Sequence, residues 1–249
     1  NSIAAQAAQE VGISNVAGCA RLLGIQSRLK EVPSLSLGSS DVSLLELVNA
    51  YATVAAEGLF HVPVIVTRIE DNAGKTIYEI NMKPKRVISY ENAFLMTELL
   101  KGSITEPGGT SRALWNWDLF RWDTDFGGKT GTTSNYSDAW YVGITPKLVG
   151  GAWVGAEKRS EQFGASRLGQ GSRAALPVFA VFMEKVLSDK NFAHYHAKFP
   201  REPKEPVRRA YRCPSYAQPE INEVDPAKTE EVSEEFLNPE IGVEGEGPE

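Results

Sequence analysis

Cysteine, histidine and methionine are scarce in this chain of 249 residues, at two, three and three. Cys19 and Cys213 stand near opposite ends of the sequence with no Cys-x-x-Cys spacing, which excludes a disulfide framework and a cysteine-held zinc site. His61, His194 and His196 lack the acidic or thiol company of a metal centre, and His194 with His196 makes a pair without a third ligand nearby. We therefore expect no metal. No apolar run approaches the 18 residues of a membrane span. There is no initiator methionine and no signal peptide, and helical text starts at Asn1, so the chain is expected to be a piece of something longer.

What is present is ordinary for a globular chain, with 42% apolar and 23% charged residues. The net charge of −6 is unevenly spread. From Ala217 to Glu249 eleven acids face one lysine, which leaves the rest of the chain mildly basic. Such a tail buries too little apolar surface to offset its ordering entropy. A nucleic-acid mimic and a metal-binding run are alternatives, but a solvated, disordered tail is the expectation. The charge and composition divide the chain into a body over 1–190, a basic, Pro-containing linker over 191–216 and an acidic tail over 217–249. The basic run Lys198–Arg212 suits either contact with anionic polymer or lipid, or a solvated linker, which we expect.

Within the body, the Ala-rich stretch 2–11 reads as a helix stopped by Gly12, and a second short helix covers 14–23. Ser43-Leu-Leu-Glu46 is a capping box opening an amphipathic helix that Gly58 ends. The period then changes. The β-branched run 61–69 and the stretch 75–80, joined by Asp71-Asn-Ala-Gly74, read as a hairpin. A helix is expected over 89–102, strands over 128–133, 138–145 and 148–156, and a last helix over 172–188 with Pro177 near its start. Thr145-Pro-Lys147 is a tight connection, so the three strands should form an antiparallel meander with the last helix packed on it. The fold class is α+β.

The chemistry is concentrated in Gly127-Gly-Lys-Thr-Gly-Thr-Thr133. A phosphate-binding loop needs Gly five residues before the Gly-Lys pair and a helix after it. Here Asp123 holds that position and the following text is strand, so nucleotide binding is rejected. The alternative is Lys-Thr-Gly on a strand, a signature of penicillin-binding proteins and class A β-lactamases. Lys129 supplies positive charge for a substrate carboxylate, Thr130 and Thr132 supply hydroxyls, and Gly131 leaves room for a ligand along the strand edge.

The context strengthens that reading. Gly109-Thr-Ser-Arg-Ala113, the Lys-Thr-Gly run, Ser137-Asp-Ala-Trp-Tyr-Val-Gly-Ile-Thr-Pro146 and the upstream text 37–58 together resemble the transpeptidase domain of class A, bifunctional penicillin-binding proteins. The resemblance covers about residues 1–188. It implies a penicillin-binding transpeptidase-like fold, an antiparallel sheet flanked by helices, here truncated at the N-terminus. It also implies a serine acyl transferase acting on peptidoglycan stem peptides that end in D-Ala-D-Ala, inhibited by β-lactams and needing no cofactor. By that resemblance Asn1 is the Asn of Ser-x-Asn and, with Lys129, catalytic. Thr130, Gly131 and Thr132 bind substrate, and the Thr132 amide is an oxyanion donor.

The Ser-x-x-Lys nucleophile motif is expected upstream of Asn1, with a glycosyltransferase domain and a membrane anchor earlier still. The parent is then extracytoplasmic and binds no nucleic acid. Ser27-Arg-Leu-Lys30 matches the nucleophile motif in letters but falls after Asn1, in the wrong order. A non-catalytic penicillin-recognition module and a D,D-carboxypeptidase or β-lactamase-type hydrolase are the alternatives. Trp115, Trp117, Phe120 and Trp122 are expected in packing rather than in a cleft wall. Asp138 is expected in a buried hydrogen bond and Trp140 in the core.

Overall fold

A computed structural model describes residues 1–158, 160–209 and 211. The expected acidic tail over 217–249 and Cys213 lie outside the described residues. Helices α1 (Ser2–Val11) and α2 (Ile13–Leu22) are separated by Gly12 at φ 92°, a left-handed value that glycine adopts without cost. A 3-10 turn (Pro33–Leu37) leads to α3 (Leu44–Ala55). Strand β1 (Leu59–Phe60) follows, then β2 (Arg68–Glu70), β3 (Thr76–Glu79), β4 (Lys85–Arg86) and α4 (Tyr90–Thr105). After two 3-10 turns over 112–121 come β5 (Gly127–Thr132), β6 (Asp138–Ile144) and β7 (Val149–Gly155). Two single-turn helices, α5 (Ser166–Gly169) and α6 (Gly171–Ala174), precede α7 (Leu176–Ser188).

The capping box forms as the sequence predicts. The Glu46 N–H donates to Ser43 Oγ at 3.2 Å, and Glu46 Oε2 accepts the Ser43 N–H at 3.1 Å. The Glu46 carboxylate also accepts the backbone N–H groups of Gln26 and Ser27 at 2.9 and 3.0 Å and the Ser27 hydroxyl at 2.6 Å. Those donors, the Ser27 hydroxyl foremost, hold the carboxyl down at about 2, against the 4.5 of a free one. One acidic side chain thus starts α3 and ties down the loop after α2.

Because the folded value lies below the unfolded one, this contribution is complete above about pH 4.5 and is lost as pH falls toward 2. Glu46→Gln should lower unfolding free energy at pH 7 by about 1 kcal/mol, since solvent at this partly exposed site screens charge-assisted bonds. Urea unfolding should show the gap from wild type closing between pH 4.5 and 2; a gap independent of pH would reject the assignment.

Three expectations are corrected in detail. The run 61–69 is strand only from Arg68, and Ile65 is fully exposed. Pro63 has no N–H for a ladder and nothing covers the β-branched side chains. Helix α4 runs through Gly102 to Thr105, because its stop is Glu106, held extended by the following Pro107. The last helix is broken at Ala175, where Pro177 fixes a fresh helical start in the first turn of α7.

The meander forms as expected. β5, β6 and β7 pair antiparallel in that order, so β5 is an edge strand. One face packs on α7. There Phe179 lies against Gly143 and Gly150, and Tyr141, Leu176, Ala180, Met183 and Leu187 are buried with Leu114, Leu119 and Phe126. Burial pushes the Tyr141 phenol above its ordinary value. The opposite face meets α3 through Leu44 and Val48 beside Gly151, and α4 through Leu100 beside Gly127.

Residues 197–208 have no regular structure and most are exposed, as expected of a linker, yet several of them are anchored to the body. Phe199 is buried with Val54, Leu100 and Ile144. Asp125 donates its backbone N–H to Ala197 O at 3.1 Å and accepts the Phe199 N–H at 3.0 Å. Further along, the Lys204 N–H donates to the Tyr90 hydroxyl at 2.8 Å, and Lys204 pairs with Glu57. This strap crosses α4 and fastens two residues ahead of β5.

Candidate active site

Alternation along β5 sends Lys129 to the α3 face, opposite Val142, and sends Thr130 and Thr132 to the α7 face. The edge position leaves one side of β5 open. Beside it lies a cleft of about 860 Å³ lined by Lys129–Ser134, by Trp140 and Trp153, and by Leu44, Leu47 and Tyr51 of α3. The Lys129 ammonium donates to the Thr130 carbonyl at 2.8 Å, and partial desolvation lowers its pKa. A lysine so placed carries charge to an anion and releases a proton more readily than one in bulk water.

The hydroxyls are set differently. Thr130 donates to Thr110 Oγ1 at 2.8 Å, whereas Thr132 Oγ1 accepts the Gly171 N–H at 3.0 Å. Gly131 needs to be bare, since a Cβ there would stand 3.0 Å from Trp140 Cβ. At the end of the strand Thr133 Oγ1 accepts the N–H groups of Ser137 and Asp138 at 3.0 and 2.9 Å. Asp138 accepts from Ser137 Oγ at 2.7 Å and from Trp153 Nε1 at 3.0 Å, but it is half-buried and borders the cleft rather than making the buried bond expected of it.

The edge strand thus borders an open cleft along a lysine, two threonines and a bare glycine. The model of the penicillin binding protein transpeptidase domain matches residues 24–184, well over half of the chain. The chain belongs to this family.

The transpeptidase relatives are larger than this chain. Penicillin-binding protein 2D of Bacillus subtilis (strain 168) is 36% identical over 155 residues, which cover 60% of this chain and 22% of that protein. Penicillin-binding protein 1A of Rickettsia conorii is 31% identical over 213 residues, covering 76% of this chain and 26% of that one. The chain thus spans about a quarter of the curated relatives it matches. Among solved structures, penicillin-binding protein 1A from Haemophilus influenzae superimposes with a TM-score of 0.69 at 28% identity over 82% of this chain and 34% of that one. PonA1 from Mycobacterium tuberculosis gives 0.65 at 27% identity, over 82% of this chain and 56% of that one. The expected mixed fold, an antiparallel sheet flanked by helices, is that of the transpeptidase domain.

Within the transpeptidase domain, the structure brings Lys129, Thr130, Gly131 and Thr132 together along one cleft edge. Asn1 is exposed ahead of α1 and is not among the residues lining the cleft. Ser27 is not among the residues lining the cleft, and its hydroxyl donates to Glu46 Oε2 at 2.6 Å. Trp117, Phe120 and Trp122 pack against the core and Trp115 stacks on Phe120 at 3.8 Å, as expected. Trp140 is not a core ring. It is half-buried and lines the cleft with Trp153, their centroids 6.3 Å apart.

Sequence reasoning missed Thr110 and Gly171 as partners of the motif strand. Thr110 lies in the Gly109–Ala113 run, where nothing in the sequence marks it as a partner of β5, and a backbone N–H such as that of Gly171 leaves no mark in a sequence. Among the described residues, no helix is long and apolar enough to cross a membrane.

Proposed function

We propose that this chain is the carboxylate-binding half of a serine-type D-Ala-D-Ala transpeptidase site, from a class A, bifunctional penicillin-binding protein. The observation that carries this reading is Lys129 on the open edge of β5, with Thr132 beyond it on the same cleft. The Lys129 ammonium and the threonine hydroxyls bind the terminal carboxylate of a stem peptide. The Thr132 backbone N–H serves as one oxyanion donor; the role of Asn1 in orienting the substrate amide rests on the family resemblance alone, since Asn1 does not line the cleft here.

In the reaction, a serine outside these 249 residues attacks the carbonyl of the penultimate D-Ala. Its proton passes to the departing D-Ala amine as the peptide bond breaks, leaving an ester. An acceptor amine then forms the new amide, and the serine oxygen recovers a proton. The partners are peptidoglycan stem peptides and β-lactams. A glycosyltransferase domain and a membrane anchor belong to the upstream part of the parent, and the site works outside the cytoplasm.

Fluorescent penicillin tests this reading. The intact protein should label covalently, and the 249-residue chain alone should not, because its cleft holds oxyanion and carboxylate contacts without a nucleophile. Labelling of the short chain would place the nucleophile within it. Failure of the intact protein to label would overturn the reading as an enzyme.

A further inference from the structure

The two threonine hydroxyls of β5 differ in what they have left to give. A hydroxyl has one proton and two acceptor sites. Thr130 spends its proton on Thr110 Oγ1 at 2.8 Å. Thr132 uses an acceptor site, filled by the Gly171 N–H at 3.0 Å, and its proton has no acceptor among the described residues. Thr132 lies at the exposed end of β5 and borders the cleft, so of the two hydroxyls its proton is the one left for an anion there.

Gly171 itself is tightly placed. It is buried, and a Cβ added there would stand 2.5 Å from both the Gly131 and the Trp140 carbonyl oxygens. Gly131 and Trp140 are register partners in β5 and β6, so this residue rests directly on the strand pair that forms the cleft edge. Behind it, α6 runs through Ala175 into α7, whose Leu176, Phe179 and Met183 are buried. The N–H is thus fixed by the core of the domain.

We propose that Gly171 is a positioning residue for acylation: its N–H holds the Thr132 hydroxyl with the proton free for the substrate carboxylate, and its missing side chain lets α6 seat on the cleft edge. The proposal rests on the reading of β5 as the carboxylate-binding strand. Thr132 touches substrate; Gly171 acts through it.

The test uses the intact protein and two donors, a thioester ending in a free carboxylate and its carboxamide analogue. Gly171→Ala and Thr132→Val should each lower the acylation rate for the carboxylate donor about tenfold, the loss of one charge-assisted hydrogen bond. Each should leave the carboxamide donor nearly unchanged. The double variant should be no slower than the slower single, because both remove the same contact. Equal losses on both donors would mean general damage to the site and would overturn the proposal, as would unchanged rates in Gly171→Ala.

Should Gly171→Ala not fold, hydrogen exchange decides. The peptide bearing the Gly171 amide should exchange faster in Thr132→Val than in wild type, and Thr132→Ser should restore both protection and rate. No change in exchange would reject the contact. Lys129→Ala run alongside separates the levels: if it acylates normally, the underlying reading of β5 fails, whatever Gly171 does.

Discussion

Lys129→Ala in the intact protein should slow acylation by penicillin at least about tenfold while melting within a few degrees of wild type. The ammonium meets ligand charge in a partly desolvated cleft, where a charge-assisted contact contributes about 1.5–3 kcal/mol. At about 1.4 kcal/mol per decade, that is one to two powers of ten. The loss is larger if Lys129 also relays a proton, for which its lowered pKa suits it. Stability should hardly change, since the side chain is exposed and its hydrogen bond goes to a neighbouring carbonyl. Thr130→Val should cost less, because the Thr130 proton already goes to Thr110. A wild-type acylation rate in a well-folded Lys129→Ala protein would remove β5 from the substrate site.

The largest effect on stability should come from Phe179→Ala, at about 3–5 kcal/mol. Its ring meets Tyr141 edge-on at 5.1 Å and Phe126 at 6.5 Å. It also fills the space over Gly143 and Gly150, where an added Cβ on Gly143 would stand only 2.3 Å from the ring. Removing it opens a cavity between helix and sheet that rigid strands cannot close. In a domain of this size the midpoint should fall on the order of 10 °C. Thermal unfolding followed by near-ultraviolet circular dichroism would measure it; a loss under about 1 kcal/mol would mean that the α7 contact is not the centre of the core.

The meander was legible because its glycines, alternating apolar residues and Thr145-Pro-Lys147 turn all point the same way, and the sheet fulfils them. Helix α3 was legible for a similar reason, its capping box and apolar stripe agreeing. The pairing of β1 with β4 was not, since two-residue strands 25 positions apart carry no local pattern. The run 61–69 misled because β-branched residues favour strands only where something packs on them. In the site, Lys129, Thr130, Gly131 and Thr132 came from side-chain chemistry on a readable strand. What tunes them came from elsewhere: the Thr110 hydroxyl by tertiary contact, the Gly171 N–H by backbone geometry, and the Trp140–Trp153 pair by register between neighbouring strands.

The strap fixes where this domain can be cut. A version of the protein trimmed at Ser188, where the last α-helix ends, would remove Phe199 and leave Val54, Leu100 and Ile144 facing solvent. It would also leave the Asp125 carboxylate and the Tyr90 hydroxyl without the backbone donors they now accept from. Such a version should be prone to aggregate through the bared patch, although every secondary-structure element up to α7 is retained. For expression, crystallisation or grafting of the fold, the terminus must lie beyond Arg208, whose N–H closes the strap on Glu91.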